Sequence, residues 1–136
     1  MPPRPLVVGL PISDRRRSFD FYRQALGLDA VGEPADDGVP EPLQFELNPG
    51  LRLMLIPREG FGWVVQPREV AEADASECVL TLPVDDEAEV DAVALRAAEA
   101  GARIVSAPGA QPWAYTVSFT DPDGHLWSVV RVDVAD

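Results

Sequence analysis

The chain has 136 residues, enough for one domain that buries roughly two thirds of the surface its unfolded form exposes. Hydrophobic residues make up 46% and charged residues 25%, the balance of a soluble globular protein. A net charge of −12 argues against nucleic acid as a partner and attracts small cations, and no apolar run approaches the ~20 residues of a membrane span.

Met1-Pro2-Pro3-Arg4 does not begin a secretory signal, so a cytoplasmic protein with no membrane partner is expected. Pro5 to Ile12 predicts a short apolar strand, after which Asp14 can cap a helix. Phe19, Tyr22 and Leu26 fall at i, i+3 and i+7 on one face of that helix, and Gly27 supplies its left-handed stop. Arg15-Arg16-Arg17, the one basic run, reads as a solvated helix start. Leu28 to Glu33 predicts a second strand, and Pro34 to Pro42 a loop. Leu43 to Leu47 and Leu51 to Ile56 form a hairpin turning at Pro49-Gly50.

Arg58 to Ser76 reads as a linker. Its aromatic part, Phe61 to Val65 with Trp63, either covers a hydrophobic edge or forms a lid over a ligand. The chain then repeats itself. Cys78, Leu80, Leu82 and Val84 alternate with Val79, Thr81 and Pro83 as a strand, in which Cys78 is expected to be a small buried hydrophobe. Asp86 with Glu89 resembles a capping box, and Val90, Val93, Ala94 and Ala97 give a helical stripe that ends at Gly101. Arg103 to Ser106 predicts a strand and Ala107 to Ala110 a loop. Tyr115 to Thr120 and His125 to Val132 predict a hairpin, closed by the tight turn Asp121-Pro122-Asp123-Gly124.

Val7-Val-Gly-Leu-Pro-Ile-Ser-Asp14 lies over Val79-Leu-Thr-Leu-Pro-Val-Asp-Asp86 at an offset of 72, and Leu53-Met54-Leu55 over Trp127-Ser128-Val129 at 74. Two halves with the same order of signals mean a duplicated β-α-β-β-β module. The expectation is an α+β fold occupying residues 1–136 as a single domain, with module 1 at 4–57, a linker at 58–76 and module 2 at 77–134. One face of each sheet is covered by its helix, which leaves the other for the partner module or a ligand.

Ile12-Ser-Asp14 leading to Ser18-Phe-Asp-Phe-Tyr22 and Leu26-Gly27, then Asp121-Pro-Asp-Gly-His-Leu-Trp127, resembles the vicinal oxygen chelate superfamily. That superfamily holds the glyoxalase I, bleomycin-resistance and extradiol dioxygenase-like proteins. The segment from Arg58 to Glu87 is also similar to a branch labelled glyoxalase-like. The resemblance implies a U-shaped sheet around a concave pocket, and a homodimer. In metal-dependent members, four ligands come from the first and last strands of the two modules. Those positions fall on Val7, Met54, Val79 and Ser128, and the internal repeat pairs the same residues. None is a His, Gln or acid, so no metal and no cofactor are expected.

Strand alternation is expected to place Val79, Thr81 and Ser128 on the concave face with Arg52, Met54 and Glu77. Arg52 with Glu77 or Glu46 would be weak catalytic candidates, because a buried carboxylate can act as a base without metal. His125 begins a strand after Gly124 and reads as a hairpin residue. Trp113 and Tyr115 are better suited to binding than to reaction, and Gln111-Pro112-Trp113 is similar to a stretch at the drug groove of bleomycin-resistance proteins. Trp127 is expected under the second helix.

The first functional expectation is metal-independent binding or sequestration of a small organic molecule, flat and apolar or aromatic, with a cation favoured over an anion. Against a cation, Arg52 could instead receive a carboxylate. The alternative is a metal-independent lyase, isomerase or cyclase, and a metal-dependent glyoxalase or dioxygenase is least favoured.

Overall fold

The computed structural model describes residues 4–132, which divide into two compact units. The first contains the described residues up to 23 and residues 27–72, and the second contains residues 24–26 and those from 73 onward.

The first unit begins with β1 (Leu6–Ile12), from which Asp14 caps α1 (Arg15–Leu26) by accepting from Arg17 N at 3.1 Å. Gly27 ends the helix at φ 64°, a left-handed conformation that suits a residue without Cβ. The antiparallel strands β2 (Leu43–Asn48) and β3 (Leu51–Pro57) follow, and β3 inserts between β1 and β2. Phe19 and Tyr22 of α1 meet Phe45 of β2 at ring-centroid distances of 6.4 and 5.6 Å. Phe45, Tyr22, Leu43, Leu53 and Leu55 are all essentially buried. Removing one such ring costs about 3–5 kcal/mol, so this cluster holds helix to sheet.

The expected strand at Leu28–Glu33 does not form. Only a single bridge, Ala30 to Phe45, joins that segment to β2. Asp29, Gly32 and Pro34 interrupt its apolar residues, so no run is long enough to build a ladder. Arg15 also departs from the solvated reading. Its guanidinium pairs with Asp37 and Glu41 and donates to the carbonyls of Val39 (3.0 Å) and Pro40 (2.6 Å), which ties the acidic loop to the helix start. Asp37 is held below the usual carboxylate value by the Val39 N–H and, in addition, by Arg15. Arg17 is exposed as expected.

The linker begins with a helix, α2 (Arg58–Val65), which the sequence reading left as an aromatic insertion without assigned structure. Its packing is with β1 and β3.

The second unit contains β4 (Val79–Val84), α3 (Glu87–Glu99), β5 (Arg103–Ala110), β6 (Tyr115–Thr120) and β7 (Leu126–Arg131), with strand order β4-β7-β6-β5. Asp86 accepts from Glu89 N at 2.8 Å, while the Glu89 carboxylate accepts from Asp85 N at 2.9 Å. The capping box therefore closes one residue before the cap. Val90, Val93, Ala94 and Ala97 are buried against a sheet whose inner face carries Val117, Phe119, Trp127 and Val129.

Ala107–Ala110 continues β5 instead of forming a loop, because register shifts at Ile104/Ser106 and Ser106/Gly109 absorb Pro108 and Gly109 on an edge strand. Cys78 is exposed, since β4 starts one residue after it.

The ladders reproduce the internal repeat. In the first unit Val7 pairs with Arg52 and Gly9 with Met54; in the second, Val79 pairs with Leu126 and Thr81 with Ser128. The fold is α+β with tandem modules, the first β-α-β-β and the second β-α-β-β-β.

Candidate functional site

Strand alternation decides which side chains are available for function. In the first unit Leu43, Phe45, Leu53 and Leu55 turn toward the core, so Gln44, Glu46, Arg52 and Met54 emerge on the opposite face. Val7 and Gly9 of β1 join them by register. Val7, Arg52 and Met54 therefore share one face of this sheet.

Helix α2 rests on one end of this face. A Cβ on Gly9 would meet Ile56 Cδ1 at 3.4 Å and Phe61 Cε1 at 4.0 Å, and one on Gly60 would meet Ile56 Cγ2 at 3.5 Å. Phe61 thus covers the sheet, whereas Trp63 and Val64 turn outward and are 71% and 70% exposed.

Arg52 has an unusual environment for a guanidinium. Its Nε is buried and has no hydrogen-bond acceptor. Glu46 sits directly across β2 in register, yet the two form no ion pair. The ladder shifts register immediately beyond Glu46, between it and Asn48.

In the second unit the face opposite α3 contains Val79, Thr81 and Ser128, with Val79 52% exposed. The register extends their row further than the sequence reading saw. Thr81 pairs with Ser128, Ser128 with Ser118, and Ser118 with Ser106, so four hydroxyl residues cross all four strands. Thr116 adjoins the row, with its Oγ1 3.3 Å from Ser128 Oγ and donating to Val129 O at 2.9 Å.

Trp113 and Tyr115 lie at the end of this unit, in a pocket of about 530 Å³. The β5–β6 connection, Gln111, Pro112, Glu87 at the start of α3 and the end of β7 complete its walls. Trp113 is 73% exposed and offers a ring face. The Tyr115 hydroxyl donates to Asp91 Oδ1 at 2.7 Å, fixing the loop to α3. That bond, together with partial desolvation and the charges of Asp91 and Glu87, raises the phenol above its usual value. Glu87, Asp91 and the Ser106 and Ser118 members of the hydroxyl row were missed by sequence reading, which had Thr81 and Ser128. Glu87 carried no signal beyond a helix start, whereas Ser118 was legible from alternation.

Catalytic groups are sparse. Glu77 is exposed and precedes β4, so register gives it no place on the open face. Glu46 is exposed beside Arg52. His125 serves the hairpin: its N–H donates to Asp121 Oδ1 at 2.9 Å and its carbonyl accepts from Asp121 N at 3.0 Å. Among the described residues, no group of three or more His, Cys, Asp or Glu side chains could hold a metal ion. Val7, Met54, Val79 and Ser128 occupy the strand positions expected of them.

These features define a class: a tandem α+β module protein whose sheets each carry a face uncovered by the module's own helix and lack the metal-binding residues. The chain belongs to the Glyoxalase/Bleomycin resistance protein/Dioxygenase superfamily, whose model matches residues 4–129. Among solved structures, a hypothetical protein of S. aureus is similar at 24% identity and TM-score 0.80, covering 93% of this chain and 92% of that one. A glyoxalase-related enzyme from Fulvimarina pelagi is 26% identical with TM-score 0.78, covering 93% and 86%. TnmS3, an antibiotic binding protein from Streptomyces sp. CB03234, is 24% identical with TM-score 0.61, covering 95% of each chain. No curated protein matches the sequence significantly.

Proposed function

We propose that the protein binds and sequesters a small organic molecule without a metal, and that an aromatic, preferentially cationic ligand seats beside Trp113. The supporting observation is the 530 Å³ pocket, which falls in the range of about 300–1,000 Å³ typical of small-molecule sites. An open indole face is available for stacking, and aromatic–cation contacts contribute about 0.5–2 kcal/mol each. Glu87 lines the pocket and Asp91 sits behind Tyr115, so the surrounding field favours positive charge. Arg131, the basic residue of the lining, is held by an interaction of its own. The shared fold is compatible with such a role, since TnmS3 is an antibiotic binding protein.

The test is to titrate matched cationic, neutral and anionic polycyclic compounds, following tryptophan fluorescence in wild type and Trp113→Ala. The cation should bind best, Trp113→Ala should weaken it by about fivefold or more, and mass spectrometry should recover it unchanged after incubation. Tighter binding of the anion at this pocket, an unaffected Trp113→Ala, or a transformed ligand would overturn the reading. We also propose a homodimer, supported by the exposed Trp63 and Val64 of α2. Light scattering should give about twice 14.7 kDa, and a monomer mass would refute it.

A further inference from the structure

The first module contains a charge that the Trp113 pocket does not explain. Arginine is permanently protonated and presents five donors in a planar fork, so a guanidinium ordinarily collects acceptors. Arg52 collects none: Nε is buried without a partner, and Glu46, its cross-strand neighbour, makes no ion pair with it. The side chain is half-buried, so water is only partly able to serve it. A buried donor left unsatisfied is costly, and its cost disappears when an acceptor of the right geometry arrives.

The surroundings say what else that acceptor must bring. Val7 lies beside Arg52 through the β1–β3 register, 44% exposed, and Met54 follows two residues along the same face. Opposite Gly9 and Ile56, this face is bounded by Phe61 of α2. A cation thus stands with apolar side chains of β1 and β3 on one side and Glu46 of β2 on the other, on a surface that its own module's α1 does not cover. The register shift just past Glu46 breaks the regular ladder next to the pair, a device that re-aims side chains at such points.

We infer that Arg52 is the anchor of an anion site on the open face of the first sheet, and that it takes the carboxylate of a small acid whose apolar body lies on Val7 and Met54. A carboxylate matches the guanidinium fork with two parallel hydrogen bonds, whereas a neutral amide offers one acceptor and no charge. Glu46 is the internal competitor: it is near enough in register to repel an incoming anion, and it therefore sets the site's affinity. The inference concerns residues separate from the Trp113 pocket and does not depend on it.

The experiment uses 2-naphthoate and 2-naphthamide as probes, titrated calorimetrically into the full chain carrying Trp113→Ala to remove the aromatic pocket. Naphthoate should bind at least about tenfold more tightly than naphthamide. Arg52→Met should abolish that preference by weakening naphthoate far more than naphthamide, Arg52→Lys should retain part of it, and Glu46→Gln should strengthen naphthoate more than naphthamide. Equal affinity for the two probes, absence of naphthoate binding, or a preference that survives Arg52→Met would overturn the inference. Cation binding at Trp113 in the otherwise unaltered chain is read separately, so either reading can fail without the other.

Discussion

Gly124→Ala tests the turn on which the second module closes. Gly124 holds φ at 90°, and a Cβ there would lie 2.1 Å from the carbonyl oxygen of Ala73, 3.0 Å from its carbon and 3.3 Å from its Cα. Two costs follow. A side chain at such a φ is strained by about 1–2 kcal/mol. The contact with backbone cannot be relieved by a rotamer change, so residue 73 or the turn must move, as in an overpacked core, for about 1–3 kcal/mol more. Opening the turn would also disturb the bonds from Gly124 N to Asp121 O (3.1 Å) and from His125 N to Asp121 Oδ1 (2.9 Å). Gly101→Ala provides the control, because φ is 105° there and nothing lies within 4 Å of the added carbon. It should cost only the backbone strain, about 1–2 kcal/mol, and the entropy that alanine removes from the unfolded chain is common to both variants. Urea unfolding followed by tryptophan fluorescence should therefore place the Gly124→Ala midpoint well below that of Gly101→Ala at unchanged slope. Equal losses in the two variants would refute the close approach of residue 73 to the turn.

The Tyr115–Asp91 bond should be visible in alkali. Because the folded phenol is raised above 10.0, its contribution is fully present below that value and is lost as pH rises through the higher folded value. The stability difference between wild type and Tyr115→Phe should hold constant at neutral pH and vanish in strong alkali; a difference that grows with pH would reverse the assignment. Protein purified without a metal-affinity tag should contain far less than one equivalent of metal, and its ligand titrations should be indifferent to chelator. One equivalent of zinc, nickel, iron or manganese per chain would show that Val7, Met54, Val79 and Ser128 do not occupy the positions the ladders assign them.

What could be read from the sequence was whatever short-range chemistry specifies. The Asp14 and Asp86 caps, the left-handed Gly27 and the Asp121–Gly124 turn each depend on residues within a few positions. The internal repeat identified equivalent positions in the two halves, Val7 with Val79 and Met54 with Ser128, and the ladders treat them alike, pairing Val7 with Arg52 and Val79 with Leu126. Helix α2 was hidden because Gly60 and Gly62 argue locally against a helix. The helix forms all the same and packs on β1 and β3, so tertiary contact overrides the local propensity. Leu28–Glu33 failed the other way, with apolar residues but no partner beyond one bridge. For the site, alternation identified which residues share a face, whereas the Trp113 pocket required the meeting of Glu87 with a loop more than twenty residues away.

The uncovered faces also bear on how such a protein can change. Leu53 and Val129 are fully buried and set folding stability, while Val7 and Val79 on the opposite sides of the same sheets are 44% and 52% exposed. A strand therefore carries two nearly independent messages, one in its odd residues and one in its even ones. Exchanging a metal donor for valine, or methionine for something bulkier, edits the second without rewriting the first. Variation in ligand preference can accumulate on this scaffold at little cost to its persistence, and a library confined to positions 7, 52, 54, 79, 81 and 128 should consist mostly of folded proteins.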